Sequence, residues 1–335
     1  MMIIKNKSLQ SLHTFGFEVN AHAFSEFKDV EELKELLILY PSKHFILGGG
    51  SNICFTKDFE GLVALNKIRG RHFEIKGDHV LVTGGAGENW HEFVLFTLQN
   101  DWGGLENMSL IPGTLGAAPI QNIGAYGVEL KDVFVELSAL NKETLEVEVF
   151  DRDQCAFGYR DSFFKNEGKN KYVILDVTFM LSLAPHQLNT TYGAIQTVLD
   201  QKQIKNPRIQ DVSTAVIEIR QSKLPDPAII GNAGSFFKNP VVDESLLDYL
   251  LEHYPAIPYY KQGDGTVKIP AGWLIEQCGW KGKRVGSVGC HKDQALVLVH
   301  FGGGSGKEIL QLAQEIQTSV TEKFGITIHP EVNVL

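Results

Sequence analysis

Apolar side chains recur along this chain with two periods, and the switches between them mark its elements. In E-E-L-K-E-L-L-I-L-Y, residues 31–40, the apolar positions 33, 36, 37 and 40 fall on one helical face. Asp29 stands where an N-cap belongs, and Pro41 ends the pattern. The run His44–Leu47, a glycine turn at 48–52 and the run Ile53–Phe55 predict strand, turn, strand. From Gly61 to Val82 short β-type runs alternate with Gly/Asp turns. Positions 90, 93, 94 and 98 predict a helix over Asn89–Leu98, started by Asn89 or Glu88. Residues 133–181 read as β-rich, with a hairpin turn near 141–144.

The second half is read the same way. Residues 186–213 are polar and predict an irregular or partly helical excursion, after which Asp211 or Ser213 opens a helix to about Lys223. L-P-D-P, 224–227, stops that helix and is the best linker candidate. Helices are expected over Asp243–His253 and from Ala271 to Gln277, and a buried strand over Ala295–Val299. Lys307–Phe324 is the clearest helix, with apolar residues at 309, 312, 313, 316, 320 and 324 and Gly325 as its C-cap. The end, I-T-I-H-P-E-V-N-V-L, is strand-like. No internal repeat is present.

A length of 335 residues exceeds what one hydrophobic core usually supports, so two or three domains are expected. A hydrophobic content of 43% is ample for a sizeable core. The formal charge of −9 argues against a nucleic-acid or anionic-membrane surface. No apolar h-region follows Lys5 and Lys7, and no long apolar run occurs, so a soluble, cytoplasmic protein is expected. Cys54, Cys155, Cys278 and Cys290 are far apart and lack the spacing of a zinc site, which fits a reducing compartment and no metal.

Phosphate-binding signatures fail on inspection. G-G-G-S-G-K-E at 302–308 imitates a P-loop but lacks one spacer residue and has Glu308 where a Mg²⁺-binding hydroxyl belongs. It reads more simply as a loop leading into the first turn of the long helix. The glycines at 48–50 and 84–87 lack the strand–turn–helix context of a Rossmann unit.

Two stretches fit no period. L-I-P-G-T-L-G-A-A-P-I-Q-N-I-G-A-Y-G, 110–127, is nearly uncharged and rich in small residues. It is suited either to bare backbone packed against a bulky ligand, with N–H groups on phosphate or ring heteroatoms, or to a tight buried crossover. G-N-A-G-S-F-F-K-N-P, 231–240, reads alone as a turn on which Gly234 allows Ser235 to be presented. That serine is a nucleophile, a proton donor or a turn former.

L-G-G-G-S-N (47–52), G-A-G-E-N-W-H (85–91), I-P-G-T-L-G-A-A-P-I-Q-N-I-G-A-Y-G (111–127), G-Y-R-D-S-F-F-K (158–165), K-L-P-D-P (223–227), the 231–240 stretch and H-P-E-V (329–332) occur in order. Together they closely resemble the UDP-N-acetylenolpyruvoylglucosamine reductase family, the MurB flavoenzymes of peptidoglycan synthesis. The resemblance spans nearly the whole chain. It implies an α+β protein with an FAD-binding fold of the PCMH/vanillyl-alcohol-oxidase type in two subdomains, plus a C-terminal α+β substrate domain. The subdomains would cover 1–66, with the strand 326–335 returning near the active site, and 67–222; the substrate domain would be 223–325. Non-covalent FAD would lie along Leu47, Gly48, Gly49, Gly50, Ser51 and Asn52, and along Gly85, Ala86, Gly87 and Glu88. It would continue along Pro112, Gly113, Gly116 and Ala117, then Gln121, Asn122, Ile123, Gly124, Ala125, Tyr126 and Gly127.

By the same resemblance Arg160, Ser235 and Glu331 would be catalytic, and Tyr159, Tyr192, Lys223, Asn239 and Gln294 would hold a UDP-sugar, with NADPH as co-substrate. Tyr192 marks the longer family type with an extra substrate loop, for which 186–213 has the right length. One departure is visible: some relatives carry arginine two residues after the catalytic glutamate, where this chain has Asn333. The chemistry suits these residue types. Hydride from flavin N5 to the β-carbon of an enolpyruvyl ether leaves charge on the α-carbon and its carboxylate, which an arginine stabilises bidentately. The α-carbon then needs a proton from a fixed donor, a role for a serine hydroxyl relayed through a carboxylate. A flavin oxidase of the same fold and a non-catalytic flavin or UDP-sugar binding module are the rival expectations.

Overall fold

The computed structural model describes residues 2–192 and 194–335. The chain divides into two compact units, and its path alternates between them. The first comprises Met1–Lys7, Ala21–Gly49 and Glu60–Ser222; the second comprises Ser8–Asn20, Gly50–Phe59 and Lys223–Leu335.

In the first unit a four-stranded sheet runs in the order Ile4–Ser8, Asn20–Phe27, Phe59–Asn66, His44–Leu47, the last pair being parallel. The helix Val30–Leu39 is capped by Asp29, whose side chain accepts from Glu32 N, and buries Leu33, Leu36 and Leu37 with Ala23, Phe27, Leu62 and Ala64. A second sheet is antiparallel throughout, in the order Val147–Asp151, Phe134–Asn141, Tyr172–Ser182, His79–Gly85, Arg71–Lys76. In His79–Gly85 buried residues alternate with half-buried ones, the signature of a strand with one face on a core. On that face the helix Trp90–Gln99 sets Trp90, Phe93, Val94 and Leu98 against Val80, Val82, Val177 and Phe179. Each such fully buried side chain contributes about 1.5–3 kcal/mol. Helices Ile195–Gln201 and Ile209–Lys223 pack on each other through Ile195, Leu199, Val212 and Val216.

The second unit is built on an antiparallel sheet in the order Gly231–Ser235, Val297–His300, Val288–Cys290, Arg284–Val285. The helix Gly306–Phe324 buries Ile309, Leu312, Ala313, Ile316, Val320 and Phe324, the apolar stripe of the sequence, and ends at Gly325 with φ +68°. A smaller sheet, Val241–Asp243, Thr266–Lys268 and Tyr260–Lys261, accompanies the helix Glu244–His253. Ala271–Gln277 forms a short helix. The segment Ser8–Asn20 is tied in where Asn232 N donates to Thr14 O at 3.1 Å.

The pseudo-P-loop is resolved as a cap. Ser305 accepts from Glu308 N while the Glu308 carboxylate accepts from Ser305 N, a reciprocal capping box that occupies the very glutamate which broke the motif.

Four local expectations are corrected. The 231–240 stretch begins as a strand, because Gly231 and Asn232 pair with His300 and Val299, and the turn-like geometry is confined to a bulge where Gly234 has φ +69°. The helix ending at Lys223 starts at Ile209, not at Asp211 or Ser213, and Asp211 instead accepts from Arg208 N at 2.8 Å from within the first turn. The strand expected from Ala295 starts at Val297, since Val297 N is spent closing a turn to Gln294 O. At the C-terminus only Asn333–Val334 forms a strand, pairing in parallel with Ile53–Cys54.

Candidate active site

In the first unit the glycine segments meet one another. A Cβ on Gly49 would lie 2.7 Å from Gly113 Cα, one on Gly48 2.5 Å from Thr114 Oγ1, and one on Gly116 2.5 Å from Ala86 Cβ. Leu115 N donates to Glu88 O, Gly116 N to Ala86 O and Trp90 N to Gly113 O, at 2.9, 2.9 and 3.1 Å. Gly49 is required so that backbone can approach backbone, and Gly48 and Gly116 leave room for the side chains of Thr114 and Ala86. Gly49, Pro112 and Ala117 stay exposed and Gly48 and Gly113 half-exposed, whereas Leu47 is buried.

Gly85, Ala86, Gly87 and Glu88 are buried and form the support of this platform. Burial of the Glu88 carboxylate demands partners, and it has them: Arg71 grips it at 2.6 and 3.0 Å, and Gly70 N donates to it at 3.0 Å. A rigid, exposed surface of backbone with little side-chain bulk fits a flat ring system bearing a diphosphate, and so fits FAD.

The loop continues to Arg160. Three hydrogen bonds fasten residues 158–162 to residues 120–124. Asn122 Nδ2 donates to Gly158 O at 2.9 Å, Arg160 Nη2 to Gly124 O at 2.9 Å and Ser162 Oγ to Ile120 O at 2.7 Å. Arg160 is held at φ +52°, a left-handed conformation that a non-glycine residue adopts only under constraint. Asn122, itself at φ +41°, is fully buried and also bonds Glu129 and accepts from Lys131 N. Gln121 is half-buried, Ile123 is buried and Ala125 pairs with Val128. Tyr126 has φ +50°, and burial raises its phenol above the usual range, opposed by the charge of Arg220. Tyr192 lies beside Gly127, with its Cβ 3.1 Å from where a Gly127 Cβ would be. Tyr159 is 38% exposed, its ring beside the Arg160 guanidinium.

In the second unit Ser235 and Glu331, remote in sequence, are brought to adjoining positions. Glu331 N donates to Phe236 O at 2.8 Å, Lys238 N donates to His329 O at 2.9 Å, and Phe237 bridges to Pro330. Both residues remain half-exposed. Asn52 Nδ2 donates to Glu331 O at 3.4 Å, so the second part of the first glycine segment, Gly50, Ser51 and Asn52, joins the same assembly. Asn333 donates to Asn52 O from both its backbone and its side chain at 3.1 Å. Asn239 Oδ1 accepts from Ala271 N at 2.9 Å, and Gln294 Oε1 accepts from Leu296 N at 3.4 Å. Lys223 is exposed at the end of its helix.

Residues 21–148 match the family described as an FAD binding domain, and residues 226–335 match the C-terminal domain of UDP-N-acetylenolpyruvoylglucosamine reductase. The reductase of that name from Flavobacterium johnsoniae is 50% identical over 100% of both chains, and that from Pseudomonas aeruginosa 46% identical over 98% of this chain and 97% of its own. The chain belongs to the UDP-N-acetylenolpyruvoylglucosamine reductase family. It is an FAD-dependent oxidoreductase. Its fold is shared with the MurB structure from Thermus caldophilus, at TM-score 0.69 and 21% identity over 99% of this chain and 98% of that one. The same α+β fold extends to 6-hydroxy-D-nicotine oxidase from Arthrobacter nicotinovorans, at TM-score 0.51 and 10% identity over 97% and 86%.

The motifs of this reductase family pointed to the loops but not to everything that sets them. His91 and Arg220 both bond Leu110, just ahead of the platform. His91 closes the motif 85–91, whereas nothing in the sequence marked Arg220.

Proposed function

We propose that the chain reduces UDP-N-acetylglucosamine enolpyruvate to UDP-N-acetylmuramate at the expense of NADPH, a step of peptidoglycan precursor synthesis in the cytoplasm. FAD, held along the glycine segments, would supply the hydride chemistry that links NADPH to the β-carbon of the enolpyruvyl ether. The protein's own groups must then do two things: accommodate charge on the carboxylate and deliver a proton to the α-carbon. Arg160 answers the first need, as a planar donor kept in a strained, braced turn. Ser235 answers the second, with Glu331 polarising or relaying. Tyr159, Tyr192, Lys223, Asn239 and Gln294 hold the sugar nucleotide, with residues 223–325 as the substrate-binding domain and 186–213 as its added loop.

The observation that carries this reading is the backbone pairing of 236–238 with 329–331, in which Glu331 N donates to Phe236 O at 2.8 Å and so brings the acid's segment alongside the residue that follows Ser235. The test is anaerobic: NADPH is added to the flavoprotein, then the enolpyruvyl UDP-sugar. Bleaching by NADPH followed by recovery of the flavin spectrum with the sugar is expected; flavin left reduced by the sugar sinks the proposal. Ser235→Ala is expected to keep the bleaching rate and slow the recovery by orders of magnitude. Equal slowing of both halves contradicts a proton-donor role.

A further inference from the structure

Leu110 stands at φ +58°, a conformation that costs a branched residue and needs an external hold. Both of its peptide groups are held by side chains. Leu110 N donates to His91 Nδ1 at 2.9 Å, and Arg220 Nε donates to Leu110 O at 3.2 Å. The same helix start grips the loop on either side: Trp90 Nε1 donates to Met108 O at 2.9 Å and Trp90 N to Gly113 O at 3.1 Å. The residues immediately after Leu110 are the platform segment Ile111 to Ala117, in which Pro112 and Ala117 are exposed.

We propose that His91 and Arg220 are positioning residues that force Leu110 into its left-handed conformation and so set the Ile111–Ala117 backbone for FAD. The assignment rests on the FAD platform described above. It concerns neither the hydride nor the proton.

A hydrogen bond into Nδ1 requires that nitrogen to be bare, so the His91 proton resides on Nε2 and the ring is neutral. Protonation puts a donor opposite the Leu110 N–H and breaks the clamp. Burial, and then the Arg220 charge, lower the pKa of His91, opposed by Glu92 on its own helix. Neutral imidazole therefore persists below the ordinary value of 6.5, and FAD affinity falls as pH drops through the lowered value.

The experiment titrates FAD into apoprotein at pH 7.5 and pH 5.0, following flavin fluorescence, with amide exchange of the 108–117 peptide as a readout independent of turnover. His91→Leu is expected to weaken FAD about five- to tenfold at pH 7.5, remove the further loss at pH 5.0 and speed exchange of the peptide. His91→Asn, whose Oδ1 replaces Nδ1 as acceptor and does not titrate, restores both affinity and protection. Leu110→Gly relieves the conformational cost and is expected to rescue His91→Leu. Arg220→Met weakens FAD similarly. Wild-type affinity and exchange in His91→Leu overturn the proposal, as does failure of both rescues. Wild-type apoprotein that takes up no FAD overturns the platform reading itself, which is a separate result.

Discussion

Arg160 Nη2 donates to the carbonyl of Gly124 at 2.9 Å, so the guanidinium is fastened directly to the segment that follows the glycine platform. Two further bonds from Asn122 and Ser162 fasten residues 158–162. In the proposed reaction a charge held this way would cost no reorganisation on meeting the substrate carboxylate.

Arg160→Lys keeps the charge but loses the planar fork. The recovery of reduced flavin with the enolpyruvyl sugar is expected to slow by about 10²–10³, with reduction by NADPH little changed. Stopped-flow absorbance of the two halves separates these; equal slowing assigns Arg160 to the fold instead.

Gly49→Ala introduces a Cβ at 2.7 Å from Gly113 Cα, backbone that cannot step aside. A loss of about 1–3 kcal/mol is expected, with protein purified substoichiometric in flavin. Gly234→Ala meets open space and is strained only by its φ of +69°, so its flavin content stays at the wild-type level. The flavin-to-protein absorbance ratio reads both.

Glu106 is buried, and burial raises its carboxyl above the ordinary value of 4.5 despite the bond from Gly104 N at 2.6 Å and the nearby His186. The folded protein therefore holds this proton more tightly than the unfolded chain. The stability it contributes is complete below the unfolded value and is lost as pH rises through the folded one. Glu106→Gln is expected to raise Tm at pH 8 and to converge with wild type near pH 4. Parallel Tm–pH curves contradict this.

Ser305→Ala removes the cap of the helix Gly306–Phe324. A loss of about 1 kcal/mol is expected, a fall in Tm of about 2–4 °C. FAD content and NADPH reduction stay unchanged, because the G-G-G-S-G-K-E run serves the helix. A specific loss of nucleotide handling at unchanged Tm speaks for a phosphate loop.

Elements whose stabilising contacts are local were legible from the residues. The helix with apolar positions 33, 36 and 37 is capped by Asp29 as expected, and the long helix buries every position its period assigned. Expectations missed where a distant partner decided the matter. Gly231–Ser235 has the composition of a turn and became a strand because Val297–His300 supplies the partner carbonyls and amides. Within the platform the glycines are explained chiefly by other loops: Gly49 by Gly113, and Gly116 by Ala86.

The sequence by itself determined the family, the FAD-binding class, the periodic helices and the set of small-residue loops, since these rest on local composition and ordered motifs. Only the tertiary structure decided that Glu331 hydrogen-bonds beside Ser235, that Arg160 is braced on Gly124, and that His91 and Arg220 clamp Leu110. The reason is physical. Hydrogen bonds that close over long stretches of chain, and backbone approaches that exclude even a methyl group, depend on where the whole fold carries each segment.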